Sequence, residues 1–180
     1  MDAFANNIRK IRDHARAHIE DGAVTQVYAA DRDQVVKVLN DILATELVCM
    51  LRYRRHYYMA TGLTSDSVKA EFLEHANEEQ QHAEAVAERI VQLRGEPDFN
   101  PAVLAQRSHA EYVEGNDLVS MLKEDLVAER IAIETYTEIV RWLGDRDPTT
   151  RRLIEQILEK EEEHADDLST LLTIVPQEMA

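Results

Sequence analysis

The chain has 180 residues, a formal net charge of −15 at pH 7, and only five glycines and four prolines. This length suits one domain with a sizeable core, and the scarcity of Gly and Pro favours an all-helical protein over one with sheets. The charge argues against a protein whose whole surface binds nucleic acid, because phosphate binding requires clustered Lys and Arg. A single cysteine, Cys49, excludes an intrachain disulfide and any Cys-x-x-Cys motif. With no signal-peptide-like run and no apolar segment of membrane length, a cytoplasmic protein is expected.

Five helices are predicted from apolar periodicity and helix-end signals. The first covers residues 3–20, where Ile8, Ile11, Ala15 and Ile19 recur at helical spacing. Four longer helices follow, at about residues 31–60, 64–94, 116–144 and 147–174. Their N-caps are assigned to Asp31 with Gln34 three residues on, to Thr64 or Ser65, to Asn116 or Asp117, and to Asp147 followed by Pro148. The four long helices are similar in length, which allows them to pack side by side.

The connections between these helices predict how they pack. Short loops join the second helix to the third and the fourth to the fifth, so each pair is expected to be an antiparallel hairpin. Residues 95–115 lack strong periodicity, and at about 3.3 Å each they can run the full length of a bundle. The fourth helix would then be parallel to the third, in a four-helix bundle with one long crossover. The predicted division is an N-terminal helical extension (1–30), the bundle (31–176) and a tail (177–180).

One pattern of metal-binding residue types occurs twice: a glutamate in the middle of one predicted helix and Glu-x-x-His in the middle of the next. Glu79 follows Glu46 by 33 residues, and Glu161 follows Glu129 by 32. Helices of similar length bring these midpoints to the same height, and the residues of each Glu-x-x-His share a face. Four buried carboxylates would be very costly without cations, and two divalent ions would balance their charge. The pattern therefore predicts a carboxylate-bridged pair of metal ions with these ligands: Glu46, Glu79, His82, Glu129, Glu161 and His164.

Tyrosines extend the duplication beyond the ligands, since Tyr53 and Tyr136 each fall seven residues after Glu46 and Glu129. Either tyrosine could hydrogen-bond a ligand or donate an electron, and either could be a core residue with a satisfied hydroxyl. We group Tyr53 with the six ligands as a candidate catalytic residue. Carboxylate oxygen together with imidazole nitrogen suits iron or manganese, and zinc can occupy such sites.

Stretches around these residues carry a family resemblance: Thr45-Glu46-Leu47 through to Tyr53, Glu79-Gln80-Gln81-His82-Ala83-Glu84, Asp125-Leu126-x-x-Glu129, and Ile157-Leu158-x-x-Glu161-Glu162-x-His164. Over roughly residues 33–172 the chain resembles the bacterioferritin branch of the ferritin-like superfamily. The resemblance implies an all-α, ferritin-like four-helix bundle whose six ligands form a ferroxidase site, with Glu46 and Glu129 capping one ion each and Glu79 and Glu161 bridging. It implies an enzyme that oxidises Fe(II) with O₂ or peroxide for iron storage and detoxification. The implied cofactor is a pair of iron ions per chain, with manganese or zinc as substitutes.

Three features depart from the family pattern. Haem is not expected, because Met50 is the only candidate ligand near the family position and is as easily a core residue. The family's short fifth helix is expected to be lacking, since Pro176 closes the last predicted helix close to Ala180. An extra N-terminal helix is predicted instead. We expect a homo-oligomer, with a 24-mer shell, a 12-mer shell and a simple dimer all left open.

Two other functions stay open. A di-iron peroxidase related to rubrerythrins would need a partner to deliver electrons, because the chain has no rubredoxin-type cysteine tail. A DNA-protecting protein similar to the miniferritins could use a basic face of the first helix, formed by Arg9, Lys10, Arg12, His14, Arg16 and His18. Because Glu20 and Asp21 cancel much of that charge, DNA is not an expected partner, although contact through this helix stays open. The expected partners are Fe(II), O₂ or H₂O₂, and further copies of the chain, with no membrane.

Other polar residues near the motifs are expected to have ordinary roles. Glu74 and Glu78 lie one turn apart beside the Glu79 motif. They could guide iron, but a solvated helix face is the expected interpretation. His56 and His75 are not expected to be ligands.

Overall fold

In a computed structural model, which describes residues 8–61 and 65–175, the chain is all-helical, as predicted. The described residues form six α-helices: α1 (Ile8–His14), α2 (Arg32–Met59), α3 (Ser65–Gln92), α4 (Leu104–Arg107), α5 (Leu118–Leu143) and α6 (Pro148–Ile174). Helices α2, α3, α5 and α6 are the four long helices of the prediction. Among the described residues, no helix combines the length and the apolar character that crossing a membrane requires.

Aspartate caps set the start of three of the long helices. Each side chain accepts a hydrogen bond from the backbone N–H three residues later: Asp31 at 3.1 Å, Asp117 at 2.8 Å and Asp147 at 2.9 Å. These bonds satisfy N–H groups that the first turn of a helix leaves without partners. Helices α2, α5 and α6 therefore begin where the sequence signals place them. Two other predicted signals, Thr64 and Pro176, lie outside the described residues.

The crossover between α3 and α5 runs along α2 and defines the topology. Its contacts with α2 advance from the start of that helix to its end: Glu96 with Asn40 (3.1 Å), His109 with Thr45 (2.9 Å), Glu111 with Arg52 (3.0 Å) and Glu114 with His56 (3.0 Å). The segment thus spans the bundle, and α5 starts at the same end as α3. Helix α5 is therefore parallel to α3, as the length of the crossover predicted.

Two buried apolar clusters fill the bundle, one toward each end. The first contains Leu39, Ile42, Val86 and Ile90, and the second contains Val68, Phe72, Leu122 and Leu168. Helix α2 packs mainly against α3, and α5 mainly against α6. The midpoints of the four helices, which carry the predicted ligands, lie between the two clusters.

The end of α3 shows why a glycine is needed there. Gly95 is not needed for a left-handed backbone, because the residue with positive φ here is its neighbour Arg94 (φ 64°). Gly95 lies instead where the end of α3 approaches the start of α2. A Cβ atom on Gly95 would lie 2.6 Å from Val36 Cγ1, which is closer than van der Waals contact allows. Gly95 therefore permits a close helix approach, and the prediction that α3 extends to about Arg94 is too long by two residues.

The predicted first helix, residues 3–20, is wrong in extent. Residues 3–7 lie outside the described residues, and helix α1 ends at His14. A separate 3₁₀ turn covers Ile19–Asp21, and His18 before it has a left-handed backbone (φ 52°). The helix buries none of its residues, so no packing stabilises it, and isolated helices this short are marginal. The basic residues of this region therefore do not share one continuous helix face.

Candidate metal centre

All six predicted ligands meet in the middle of the bundle. Their nitrogen and oxygen atoms form two groups, each with its atoms within 4.8 Å of one another: Glu46, Glu79, His82 and Glu161 in one, and Glu79, Glu129, Glu161 and His164 in the other. Glu79 and Glu161 belong to both groups, as bridging carboxylates would. Five of the six residues are at most 1% exposed, and the His82 side chain is 12% exposed.

The two histidines approach the carboxylates through the same ring atom. His82 Nδ1 lies 3.1 Å from Glu46 and 3.2 Å from Glu161. His164 Nδ1 lies 3.7 Å from Glu79 and 3.9 Å from Glu161. The Nε2–H of His164 donates to Glu78 at 2.7 Å. That bond orients the ring so that Nδ1 faces the carboxylates, as an outer hydrogen bond does for a metal-binding histidine.

Burial and mutual repulsion perturb the acid–base properties of the cluster. Burial, with the negative charge of Glu79, raises the pKa of Glu46 to about 7. Burial, followed by the charges of Glu79, Glu46 and Glu129, raises the pKa of Glu161 well above its usual range. Although burial opposes it, the hydrogen bond with Glu46 and the nearby carboxylate of Glu79 raise the pKa of His82 to about 10. The charge of the carboxylates is thus offset by bound protons when no cation offsets it.

His164 follows the same pattern as His82. Burial alone would lower its pKa, but the nearby carboxylates of Glu79 and Glu129 raise the pKa of His164 to about 9. Burial and the Glu129 charge oppose ionisation of Glu79, yet the nearby imidazoles of His164 and His82 hold the pKa of Glu79 below its usual range.

Several buried ligand atoms have no hydrogen-bond partner among the described residues: Glu79 Oε1, Glu129 Oε2, Glu161 Oε1 and His164 Nδ1. Buried polar atoms are normally paired, so this concentration of unpaired atoms calls for a ligand. Four carboxylates and two imidazoles match the oxygen and nitrogen preferences of iron, manganese and zinc. The residues present therefore fit a pair of divalent cations.

The two tyrosines form reciprocal hydrogen bonds across the bundle. The hydroxyl of Tyr53, on the helix of Glu46, donates to Glu129, and the hydroxyl of Tyr136, on the helix of Glu129, donates to Glu46. Burial and the carboxylate charges raise the pKa of both tyrosines well above 10, so both hydroxyls keep their protons. Glu46 and Glu129 each belong to only one of the two ligand groups. The sequence duplication therefore supplies each of them with a tyrosine hydroxyl as hydrogen-bond donor.

Residues 36–177 match the family described as Ferritin-like domain. The chain belongs to this ferritin-like family. It is 35% identical over 150 residues to a "DNA protection during starvation protein" of Pyrococcus furiosus, covering 81% of this chain and 80% of that protein. It is 30% identical over 132 residues to the bacterioferritin of Desulfovibrio desulfuricans, covering 73% of this chain and 70% of the relative.

Solved structures give the same family. A dodecameric thioferritin, the bacterioferritin-related protein of Bacteroides fragilis, is 33% identical and superposes with a TM-score of 0.78 over 81% of this chain and 88% of its own. A Desulfovibrio desulfuricans bacterioferritin studied for its diiron site is 27% identical, with a TM-score of 0.70 over 81% of this chain and 84% of its own. The predicted membership of the bacterioferritin-like, ferritin-like group is thus confirmed.

This ferritin-like bundle also contains a buried polar network that the sequence analysis missed. Arg52 donates to Asp125 at 2.7 Å, and His56 Nδ1 lies 2.8 Å from the other oxygen of the same carboxylate. All three side chains are buried, and they connect α2 to α5. The signal available was Asp125 itself, an acidic residue one turn before Glu129 on an otherwise apolar stripe.

Two other neighbours of the candidate metal centre are Glu78 and His75. Glu78 accepts the His164 hydrogen bond, so the expectation that it lies on a solvated face is wrong, whereas Glu74 is exposed as expected. His75 is buried, and its ring stacks on His164 with centroids 4.0 Å apart. Burial and the positive charge of His164 lower the pKa of His75 to about 3, so its ring is neutral. Helical periodicity alone did not reveal these contacts, because their common partner, His164, lies on a different helix, α6.

Proposed function

We propose that this ferritin-like protein is a ferroxidase that binds two Fe(II) ions as substrate, oxidises them with O₂ or peroxide, and retains the ferric product for storage. The observation that supports this proposal is the pair of buried ligand groups sharing Glu79 and Glu161 within one chain. The bacterioferritin of Desulfovibrio desulfuricans, a relative with a diiron site, supports the same assignment.

In this proposal each ion has its own glutamate and histidine. Glu46 and His82 hold one ion, Glu129 and His164 hold the other, and Glu79 and Glu161 bridge them. Two ferrous ions supply two electrons that, together with two protons, reduce one O₂ to H₂O₂ or one H₂O₂ to two waters.

Neighbouring side chains of the protein hold these ligands in place. Tyr53 and Tyr136 orient the glutamates that bind only one ion, and Glu78 orients His164. The two apolar clusters keep bulk water away from the carboxylates on both sides.

Anaerobic titration with Fe(II), followed by exposure to air, tests this proposal. The double variant Glu79→Ala with His82→Ala should bind about two fewer Fe(II) ions per chain than the wild type, because it removes Glu79, which both ions share, and the histidine of one ion. It should also lose the ferric absorbance that air produces in the wild type. The matched control is Gln81→Ala with Glu88→Ala, which changes two exposed residues of the same helix. Unchanged binding in the Glu79/His82 variant would show that the site is assigned wrongly.

Storage requires a closed assembly, and we propose a dodecamer. The Bacteroides fragilis relative, which is dodecameric, supports this size. Analytical ultracentrifugation should give a mass near twelve times that of the 20.6 kDa chain. A mass near twice that of the chain would contradict storage in a shell and leave a redox role without storage.

DNA protection is a second candidate function. The relative from Pyrococcus furiosus carries that name, and Arg9, Lys10 and Arg12 of α1 are exposed. The net charge of −15 opposes DNA binding elsewhere on the chain. A DNA mobility shift at physiological salt that disappears when residues 1–22 are removed would support this function, and the absence of any shift would exclude it.

A further inference from the structure

A second cluster of ligand-type side chains lies beside the dinuclear centre without sharing a residue with it. Glu71 and His75 of α3 and Asp167 of α6 place one ligand atom each within 4.8 Å of one another. His75 Nε2 lies 3.3 Å from Glu71 and 3.9 Å from Asp167. The cluster therefore joins one buried imidazole with carboxylates from two different helices.

The hydrogen bonds of His75 determine which of its nitrogens carries the proton. Its Nδ1 lies 3.3 Å from the hydroxyl oxygen of Tyr53, and the single proton of that hydroxyl is donated to Glu129. Nδ1–H must therefore be the donor toward Tyr53, because a hydroxyl has only one proton to give. This leaves Nε2 as the ring nitrogen that can bind a ligand.

Nε2 of His75 points toward negative charge. His75 is 1% exposed, and Nε2 has no hydrogen-bond partner among the described residues. The groups it faces, Glu71 and Asp167, are carboxylates that also repel each other. A buried nitrogen without a hydrogen-bond partner is unfavourable. A cation bound by all three groups would remove both the unpaired atom and the repulsion.

We infer that Glu71, His75 and Asp167 form a third divalent-cation site, separate from the dinuclear centre. Two carboxylate oxygens and one imidazole nitrogen suit Fe(II), Mn(II) or Zn(II) and leave coordination positions for water. The Glu71 and Asp167 side chains are 28% and 45% exposed, so this site is more open to solvent than the dinuclear centre. Its ion should therefore exchange faster with solution. The inference does not depend on ferroxidase activity.

Equilibrium dialysis against Co(II), without oxidant, tests the third site by counting bound ions. Wild-type protein should bind about three ions per chain, and Glu71→Gln with Asp167→Asn should bind about two, because neutral amides are poor ligands for these metals. Both substitutions are nearly isosteric and lie at partly exposed positions, so the variant should fold. His75→Gln, which removes the imidazole ligand, should lose the same single ion.

The control is Glu74→Gln with Asp166→Asn, which removes the same charge from exposed residues next to the site. It should keep all three ions. If the Glu71/Asp167 variant binds as many ions as the wild type, or if the control loses as many as that variant, the third site is wrong.

The Glu79→Ala with His82→Ala variant separates this inference from the proposed function. Loss of about two ions with retention of one would support both sites. A wild type that binds only one ion, lost in the Glu71/Asp167 variant, would support the third site and contradict the dinuclear centre.

Discussion

Tyr53 and Tyr136 show how single residues complete the candidate metal centre. Tyr53 lies on α2 with Glu46 and donates its hydroxyl proton to Glu129. Tyr136 lies on α5 with Glu129 and donates its hydroxyl proton to Glu46. A carboxylate held in this way presents its second oxygen in a fixed direction. These two hydrogen bonds also link α2 to α5 at the height of the site.

Replacing either tyrosine by phenylalanine should weaken metal binding. Tyr53→Phe or Tyr136→Phe removes one donor and frees one glutamate to rotate, and a loss of roughly 10-fold in affinity is expected from the removal of an outer-sphere hydrogen bond. Competition between the protein and a chelator for Co(II) measures the change. Tyr58→Phe, at an exposed tyrosine of α2, the helix of Tyr53, is the control. Equal affinities in all variants would exclude this role.

Glu78→Ala should affect the centre through His164. Without the acceptor at Nε2, the ring loses both its orientation and a negative neighbour, so metal affinity should fall roughly 10-fold. The pKa of His164, about 9 in the wild type, should also fall, which NMR titration of the metal-free protein would detect. Glu74→Ala changes an exposed glutamate of the same helix and should alter neither quantity. An unchanged His164 pKa in Glu78→Ala would contradict the contact.

At the scale of helices, the Arg52–Asp125–His56 network connects α2, α5 and the crossover. Arg52 also donates to the backbone carbonyl of Glu111 at 3.0 Å, and His56 Nε2 lies 3.0 Å from that of Glu114. Both carbonyls belong to the crossover, which has little regular structure of its own. The network therefore anchors the segment that makes α5 parallel to α3.

Removing one member of this network should be strongly destabilising. Asp125→Ala leaves the buried guanidinium of Arg52 without its counter-charge, which should lower the free energy of unfolding by about 3–5 kcal/mol. Urea denaturation of metal-free protein measures it. Glu138→Ala, which breaks an exposed pair with Arg141, should change stability by less than about 1 kcal/mol. Arg52→Met with Asp125→Leu should lose less than Asp125→Ala alone, and a larger loss would argue against an electrostatic cause.

For the whole molecule, protons and metal ions compete for the same buried charge. His82 and His164, with pKa values of about 10 and about 9, are protonated at pH 7, and Glu46, with a pKa of about 7, is partly so. Metal binding must displace these protons, so affinity should rise between pH 6 and pH 9. Loading at pH 7 should release at least about two protons per chain, measured with a pH-stat. A release near zero would contradict the protonated cluster.

The same groups set the pH dependence of stability. A pKa that is raised by folding stabilises the protein below the unfolded value, and this stabilisation is lost as the pH rises through the folded value. Glu46, His82 and His164 all have raised pKa values, so the melting temperature of metal-free protein should fall between pH 6 and pH 9. With bound Mn(II) it should be higher at every pH and should not fall over that range. A parallel fall in both forms would show that other groups dominate.

Much of this fold could be predicted from local signals. Aspartate caps start α2, α5 and α6 where they were expected, and a crossover too long for a simple hairpin implied parallel α3 and α5. The first helix was mispredicted because periodicity indicates an apolar face but not whether anything packs against it.

The sequence by itself determined which six side chains meet, because spacing along helices of equal length sets both height and facing direction. Only the tertiary structure decided which groups lie next to one another in and around the site. Each tyrosine hydroxyl donates to the glutamate on the opposite helix, Glu78 pairs with His164, and Asp167 lies near His75. Each of these contacts joins residues on different helices. Their formation depends on how the helices rotate and pack against one another, and no periodicity within a single helix contains that information.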